Sequence, residues 1–234
     1  MSEALSDPAP SRSAPRRRYL GVSAAERQQQ RRRRLVEAGI AVFGARGFHA
    51  ATVREVCMQA RLTERYFYES FKGVAPLFVA VYGELMAELK QRTVGALEAR
   101  ADAAPLAAAE AGLRVFFEYV REDPQRARIV LVHALSLNEE VLQLCKHALE
   151  EYTVLAREVI ARSAARGEPA LLAAGLIGLN IHVATAWLLE DCRTPIDRVV
   201  ETTLMAYRAL EPKQESSGEP ARAEALPGDR AEAL

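Results

Sequence analysis

The chain has 234 residues, half of them apolar and a quarter charged, which suits one large or two small soluble globular domains. Its three cysteines (Cys57, Cys145, Cys192) are too scattered for a disulfide framework or a metal site and read as small buried hydrophobes, and no apolar leader opens the chain. The formal net charge is zero, but residues 1–72 carry 14 Lys+Arg against 7 Asp+Glu and the remainder 17 against 24, which points to a basic end facing nucleic acid and a body that does not.

Residues 1–22 are rich in Pro, Ser, Ala and Arg and are expected to be a disordered basic arm. Arg16-Arg17-Arg18 is either a solvated tail or an arm that tracks phosphate or enters a minor groove. Ser23 and Glu26 form a capping box, so a first helix starts near Ala24, runs to about Arg46 and stops at Gly47. Four consecutive arginines, Arg31–Arg34, wrap that helix and cannot share one face, so some must lie near DNA or pair with acids. Leu35, Ala38, Val42 and Phe43 turn toward the next two helices, with Phe48 beneath.

Thr52 and Glu55 make a second capping box. It opens a short helix with Val53, Val56, Cys57 and Ala60 on its apolar face. Arg61-Leu62 is the turn, and Thr63 can cap a third helix on which Phe67 and Phe71 share a side. About eight residues cannot hold a helix in water alone. Leu62, Phe67 and Phe71 must anchor it, which leaves a ledge of Thr, Arg and Tyr outward. That is helix-turn-helix geometry, able to reach phosphates and base edges in the major groove.

The stretch LVEAGIAVFGARGFHAATVREVCMQARLTERYFYESFKGVAPLFVAVY, ending at Tyr82, resembles the DNA-binding region of TetR-family regulators. The marks are Ala-Gly…Phe…Arg-Gly-Phe, Thr-Val-Arg-Glu-Val, Tyr-Phe-Tyr-x-x-Phe and the later Leu-Phe. Two positions depart from the family pattern. Arg61 stands where a turn glycine is common, and Val74 where a lysine is common, with Lys72 two residues earlier. An L-residue at a positive-φ turn is disfavoured. The resemblance implies groove contacts by Thr63, Arg65 and Tyr66 and phosphate contacts by Thr52, Tyr68 and Lys72. Arg54 belongs to the same DNA-binding set.

A long helix follows from Val74 to about Glu98, its start fixed by Pro76 and its stripe formed by Phe78, Val81, Tyr82, Leu85 and Leu89. In the family this helix joins the DNA head to the body. After an Ala-rich break at 99–104 the body reads as all helix: Leu106 to Arg121; Pro124 through His133 and Leu135; about Asn138 to Arg166; Pro169 to about Glu190; and Pro195 to near Leu210. The expected fold is all-α with about nine helices, no strand being convincing. The expected division is a three-helix DNA-binding domain over 23–73, a larger helical domain over 74–210 and a disordered tail over 211–234.

Residues 170–189 carry no charge and reach the length of a membrane span, or else form a buried helix. Asn180, His182, Thr185 and many Ala and Gly favour the buried reading, with no membrane contact. Ala170, Ala174 and Gly178 recur every four residues, a line along which another helix can approach. The resemblance implies a homodimer through 170–189 and 196–210.

No nucleotide loop, nucleophile elbow, HExxH or CxxC is present, and no Ser/His/Asp set follows from spacing, so neither an enzyme, a cofactor nor a metal is expected. Phe116, Phe117, Tyr119, His133, Tyr152, His182 and Trp187 are either core or the lining of a pocket for a small hydrophobic effector. The favoured reading is a cytoplasmic, homodimeric repressor that leaves its operator DNA when the effector binds. Its rivals are a DNA-binding dimer without effector, controlled by abundance or a protein partner, and a helical enzyme.

Overall fold

The computed structural model describes residues 23–132, 139–163 and 167–208. They form nine α-helices and no strand: α1 (Ala24–Arg46), α2 (Val53–Ala60), α3 (Glu64–Ser70), α4 (Val74–Glu98), α5 (Pro105–Glu122), α6 (Pro124–Leu131), α7 (Glu139–Ala161), α8 (Pro169–Leu189) and α9 (Ile196–Tyr207). The basic arm, the C-terminal tail, His133 and Leu135 lie outside the described residues.

Local chemistry sets the helix ends. Both capping boxes form: the Ser23 hydroxyl accepts from the Glu26 N–H at 3.1 Å, and the Thr52 hydroxyl accepts from the Glu55 N–H at 3.3 Å. In return each glutamate accepts from the cap's own N–H, at 2.6 and 3.0 Å. Gly47, at φ 75°, ends α1. Prolines stand in the first turns of α5, α6 and α8, where a missing N–H costs nothing. Thr63 departs from expectation. It sits at the N-cap of α3 in an extended conformation, but its side chain makes no capping hydrogen bond. The helix is held by packing instead.

Two hydrophobic cores result. The first gathers Leu35 and Phe43 of α1, Val56 of α2, Phe67 of α3 and the front of α4, with Leu77, Phe78, Val81 and Leu85. Phe43 and Phe48 both meet the Phe78 ring, edge-on, at centroid distances of 5.1 and 5.4 Å. Ile129 of α6 and Ala148 of α7 belong to this core too, so the three-helix head is seated on the body. The second core packs Phe117 and Val120 of α5 against Trp187 and Leu188 of α8, Val199 and Val200 of α9 and Ile160 of α7.

Helix α8 is the anomaly. Its window of highest apolarity has a mean hydropathy of 1.7, yet only 28% of that window is buried. By length and composition it could cross a membrane. Ala173, Asn180, Ala184, Trp187 and Leu188 face inward, while Leu171 and Leu189 are 74% and 67% exposed. Gly175 and Gly178 have open space above them. On the adjoining α9, Met205 is exposed as well.

The head meets the body at a close helix crossing. A Cβ placed on Gly44 of α1 would stand 2.6 Å from Gln125 Cβ and 2.9 Å from the Gln125 carbonyl oxygen of α6. Gly83, mid-way along α4, has nothing within 4 Å. Gly44→Ala is therefore expected to lower stability by about 1–3 kcal/mol through overpacking. Gly83→Ala is expected to raise it by about 0.5–1 kcal/mol. Urea midpoints at constant m-value measure both.

Candidate nucleic-acid interface and body cavity

Helix α3 has seven residues, too few to persist alone. Phe67 fixes it from beneath, fully buried, with Phe71 5.9 Å away in ring-centroid distance. Burying one such ring contributes roughly 1.5–3 kcal/mol. The α2–α3 turn closes by two backbone bonds. Arg61 N–H donates to Met58 O at 3.2 Å and Leu62 N–H donates to Cys57 O at 3.0 Å, the Schellman pattern. The pattern needs a left-handed residue, and Arg61 takes it at φ 52°, ψ 46°. The conformation expected of a glycine is thus held by an arginine.

Three arginines of the α1 run touch the head, although Arg32 and Arg34 remain exposed. Arg31 lies over the Tyr66 ring at 4.5 Å and reaches Glu69 at 3.6 Å. Arg32 covers the Phe71 ring at 4.4 Å, and Arg34 donates to the Ala60 carbonyl at 2.5 Å. These arginines bind α1 to α2 and α3 through a carbonyl and aromatic faces, in addition to the acid pairing expected of the run. Arg46 similarly pairs with Glu55 of the α2 capping box.

Thr52, Arg54, Thr63, Arg65, Tyr66, Tyr68 and Lys72 are all exposed on the α2–α3 side of the head. Besides Tyr66, which lies under Arg31, and Tyr68, whose ring meets Phe67 at 5.5 Å, two more tie back to their surroundings. The Thr52 hydroxyl also donates to Glu55 at 2.9 Å, and Arg65 lies 3.5 Å from Glu69 one turn on. Glu69 is thereby flanked by Arg31 and Arg65, which offsets the negative charge on α3. The surface offers guanidinium, hydroxyl, phenol and ammonium groups at one short helix, which suits phosphate and base-edge hydrogen bonding.

A second feature lies in the body: a cavity of about 210 Å³ between α4, α5, α7 and α8, lined also by Val130 and Leu131 of α6 and by Tyr207 of α9. Of the residues singled out from the sequence, Phe116 and Tyr152 line it. Phe117 and Trp187 pack on each other at 5.8 Å in the second core, and the Trp187 indole donates to Thr194 O at 2.9 Å. The Tyr119 hydroxyl donates to Leu85 O at 3.3 Å, His182 is exposed on α8, and His133 is outside the described residues. Most of the rest of the wall is aliphatic or small, with Met86, Leu89, Leu113, Ile177 and Ile181 among it. No charged side chain among the described residues lines it.

Its polar groups are few. Burial pushes the Tyr82 phenol well above its ordinary range, and its hydroxyl faces the Cys145 sulfur, whose thiol is raised for the same reason. Asn180 Nδ2 donates to the Tyr207 hydroxyl at 2.7 Å, and burial raises the Tyr207 phenol to about 12. Asn180 Oδ1 is buried with no hydrogen-bond partner among the described residues, and the buried Tyr152 hydroxyl has Thr93 beside it. These phenols stay neutral throughout the physiological range.

An anchored helix-turn-helix carried on a helical body is an architecture found in DNA-binding proteins. Residues 35–81 match the family model of the bacterial regulatory proteins of the tetR family. Residues 35–81 thus carry the DNA-binding region of that family. The chain is similar to the HTH-type transcriptional activator FasR of Mycolicibacterium smegmatis, 26% identical over 179 residues that span 76% of this chain and 81% of that one. Its fold is that of the fatty acid degradation regulator FadR from Bacillus halodurans, with TM-score 0.69, 15% identity and 79% and 96% of the two chains covered. The same fold occurs in FadR from Bacillus subtilis, solved with stearoyl-CoA (TM-score 0.68, 15% identity, 76% and 97% covered). It occurs again in AibR, solved with isovaleryl coenzyme A and operator DNA (TM-score 0.63, 16% identity, 74% and 96% covered).

The left-handed Arg61 carries a conformational cost that glycine does not. Arg61→Gly is expected to raise stability by roughly 0.5–1 kcal/mol, the relief being partly offset by glycine's own entropy loss. Thermal denaturation of the two proteins is the check; a fall in midpoint would contradict it.

Proposed function

We propose that the protein acts as a homodimer on operator DNA and that an apolar small molecule in the body cavity alters its grip. The observation that carries this reading is the exposed ledge on an α3 pinned by Phe67. In it, residues 23–73 form the DNA-binding part and 74–210 the effector and dimer part. Thr63, Arg65 and Tyr66 read base edges, while Thr52, Arg54, Tyr68 and Lys72 hold phosphates. Contacts of the second kind fix register on the duplex, and those of the first kind give sequence preference.

The dimer reading rests on α8. A helix apolar all round needs cover all round. Among the described residues its outward side, with Gly175, Gly178 and Leu171, has none. Its small residues suit the close approach of a helix, and α9 adds Met205 beside it. A second copy laid across α8 and α9 supplies the cover and brings two α3 helices to one pseudo-palindromic site. The opposing reading, a membrane span, leaves Asn180, half-way along α8, bonded to Tyr207 of α9 in place of lipid.

The effector reading rests on the cavity, and it sets this proposal above a dimer without effector. About 210 Å³ is below the roughly 300–1,000 Å³ of drug-sized ligand sites, so the cavity as it stands suits a short acyl chain or a body of that size. The acyl-CoA complexes of the two fold neighbours support an acyl-bearing effector. Repression, the sign implied by the family resemblance, follows where the operator overlaps a promoter; the activator name of the FasR relative marks the other arrangement. A DNA-bound regulator works in the cytoplasm.

Selection of a random-sequence DNA pool on the purified protein tests the reading. It is expected to enrich a near-palindromic sequence. Arg65→Ala should relax preference at one position in each half-site, costing about 1–3 kcal/mol. Lys72→Ala should weaken all sequences alike and lower the salt slope by about one. Gly178→Glu should leave the helical circular dichroism intact, sediment as a monomer and lose the selected site. A pool that enriches nothing, or a Gly178→Glu protein that remains dimeric, contradicts the reading.

A further inference from the structure

Four side chains meet at one outward face of α3. Arg65 and Glu69 stand four apart on that helix and Tyr66 and Glu69 three apart, so the three are neighbours there, beside the side that Phe67 buries. Arg31 reaches the same face from α1. Its guanidinium lies 4.5 Å from the Tyr66 ring centroid, and its Nη2 is 3.6 Å from Glu69 Oε2. Arg65 Nε is 3.5 Å from Oε1 of the same carboxylate. Glu69 is thus paired with two arginines at once, one at each oxygen. The two differ in exposure: the Arg65 side chain is 85% exposed and that of Arg31 24%.

That difference decides which pair gives way. An exposed ion pair is screened by water, and a cation one turn before a glutamate is the weaker of the two orders on a helix. Arg31 is less screened, and it also rests on the Tyr66 ring. A carboxylate on a helix set against DNA faces a polyanion. With no other cation beside it, it would detain Arg65 from the bases or repel the phosphates. With Arg31 in place, Arg65 can leave for a base edge while Glu69 stays paired. The flat guanidinium on Tyr66 fixes the direction of that ring at the same time. We infer that Arg31 is a positioning residue for sequence readout: it releases Arg65 by neutralising Glu69, it orients Tyr66, and it makes no DNA contact of its own. This rests on the reading of α3 as the helix that reads base edges.

The test is fluorescence anisotropy of the full-length protein on the DNA site selected by the wild type and on scrambled DNA, across a salt series. The variants are Arg31→Met, Glu69→Gln and the two combined. Arg31→Met is expected to weaken the selected site roughly tenfold, the scale of a coupled contact. It should leave scrambled DNA within about threefold and keep the salt slope, since no phosphate contact is lost. Glu69→Gln should then help the Arg31→Met protein at least about fivefold more than it helps the wild type, because only there does the carboxylate detain Arg65. An arginine needed only for folding would not produce that difference. Equal gains in the two backgrounds, an equal loss on both DNAs, or a salt slope lower by about one, the mark of a phosphate contact, would overturn the inference. An Arg31→Met protein that discriminates as well as the wild type would overturn it too, while the reading of α3 stands. If the wild type prefers no selected DNA over scrambled DNA, that reading falls and the role of Arg31 with it.

Discussion

Helix α4 belongs to two environments at once, and the rest of the molecule depends on that. Its front half, Leu77, Phe78 and Val81, is cemented into the core that holds α1, α2 and α3. Its rear half, Met86, Leu89, Thr93 and Leu97, is a wall of the body cavity. Tyr82 belongs to both. A close-packed interior does not deform smoothly. Displacement of the rear of this helix by an occupant of the cavity would be passed to the head as a tilt. Helix α6 adds a second seat for the head, through Ile129 and the Gly44–Gln125 crossing. Any effect of an occupant is limited by its difference in affinity for the two head positions.

The surface of the head and that of the body follow opposite rules. On the head, arginines of α1 are spent on Tyr66, Phe71 and a carbonyl, which stiffens the platform beneath α3. The groups left outward are those with phosphate and base-edge chemistry. On the body, the uncovered surface of α8 is apolar and rich in small residues. One surface suits a polyanion and the other suits a copy of itself. The excess of acidic over basic residues after residue 72 keeps the body from competing for DNA.

Much of this was legible in the sequence, because it was written in local chemistry. Ser23–Glu26 and Thr52–Glu55 marked two helix starts, Gly47 an end, and the prolines at 124 and 169 stand in first turns. Phe67 and Phe71 showed how α3 is held. What failed was what depends on packing between helices. Thr63 has a capping residue's identity and position, yet its hydroxyl makes no bond to the helix. Arg31 finds an acid partner, Glu69, as the sequence implies, but the aromatic and carbonyl partners of Arg31, Arg32 and Arg34 lie 26 to 39 residues away in sequence. The pocket was drawn toward aromatics because periodicity identifies an inward face but not whether that face meets another helix or a void. Phe117, Tyr119 and Trp187 fill core, whereas the void is walled chiefly by Leu, Ile and Ala. The Asn180 oxygen, unpaired among the described residues, is visible only in three dimensions.

The most direct measurement is fluorescence anisotropy of the purified protein on DNA from upstream of its own coding region, beside scrambled DNA, across a salt series. The account predicts tighter binding to the upstream DNA, with affinity falling steeply as salt rises through the release of counterions from contacted phosphates. Absence of binding to either DNA at low salt would contradict it.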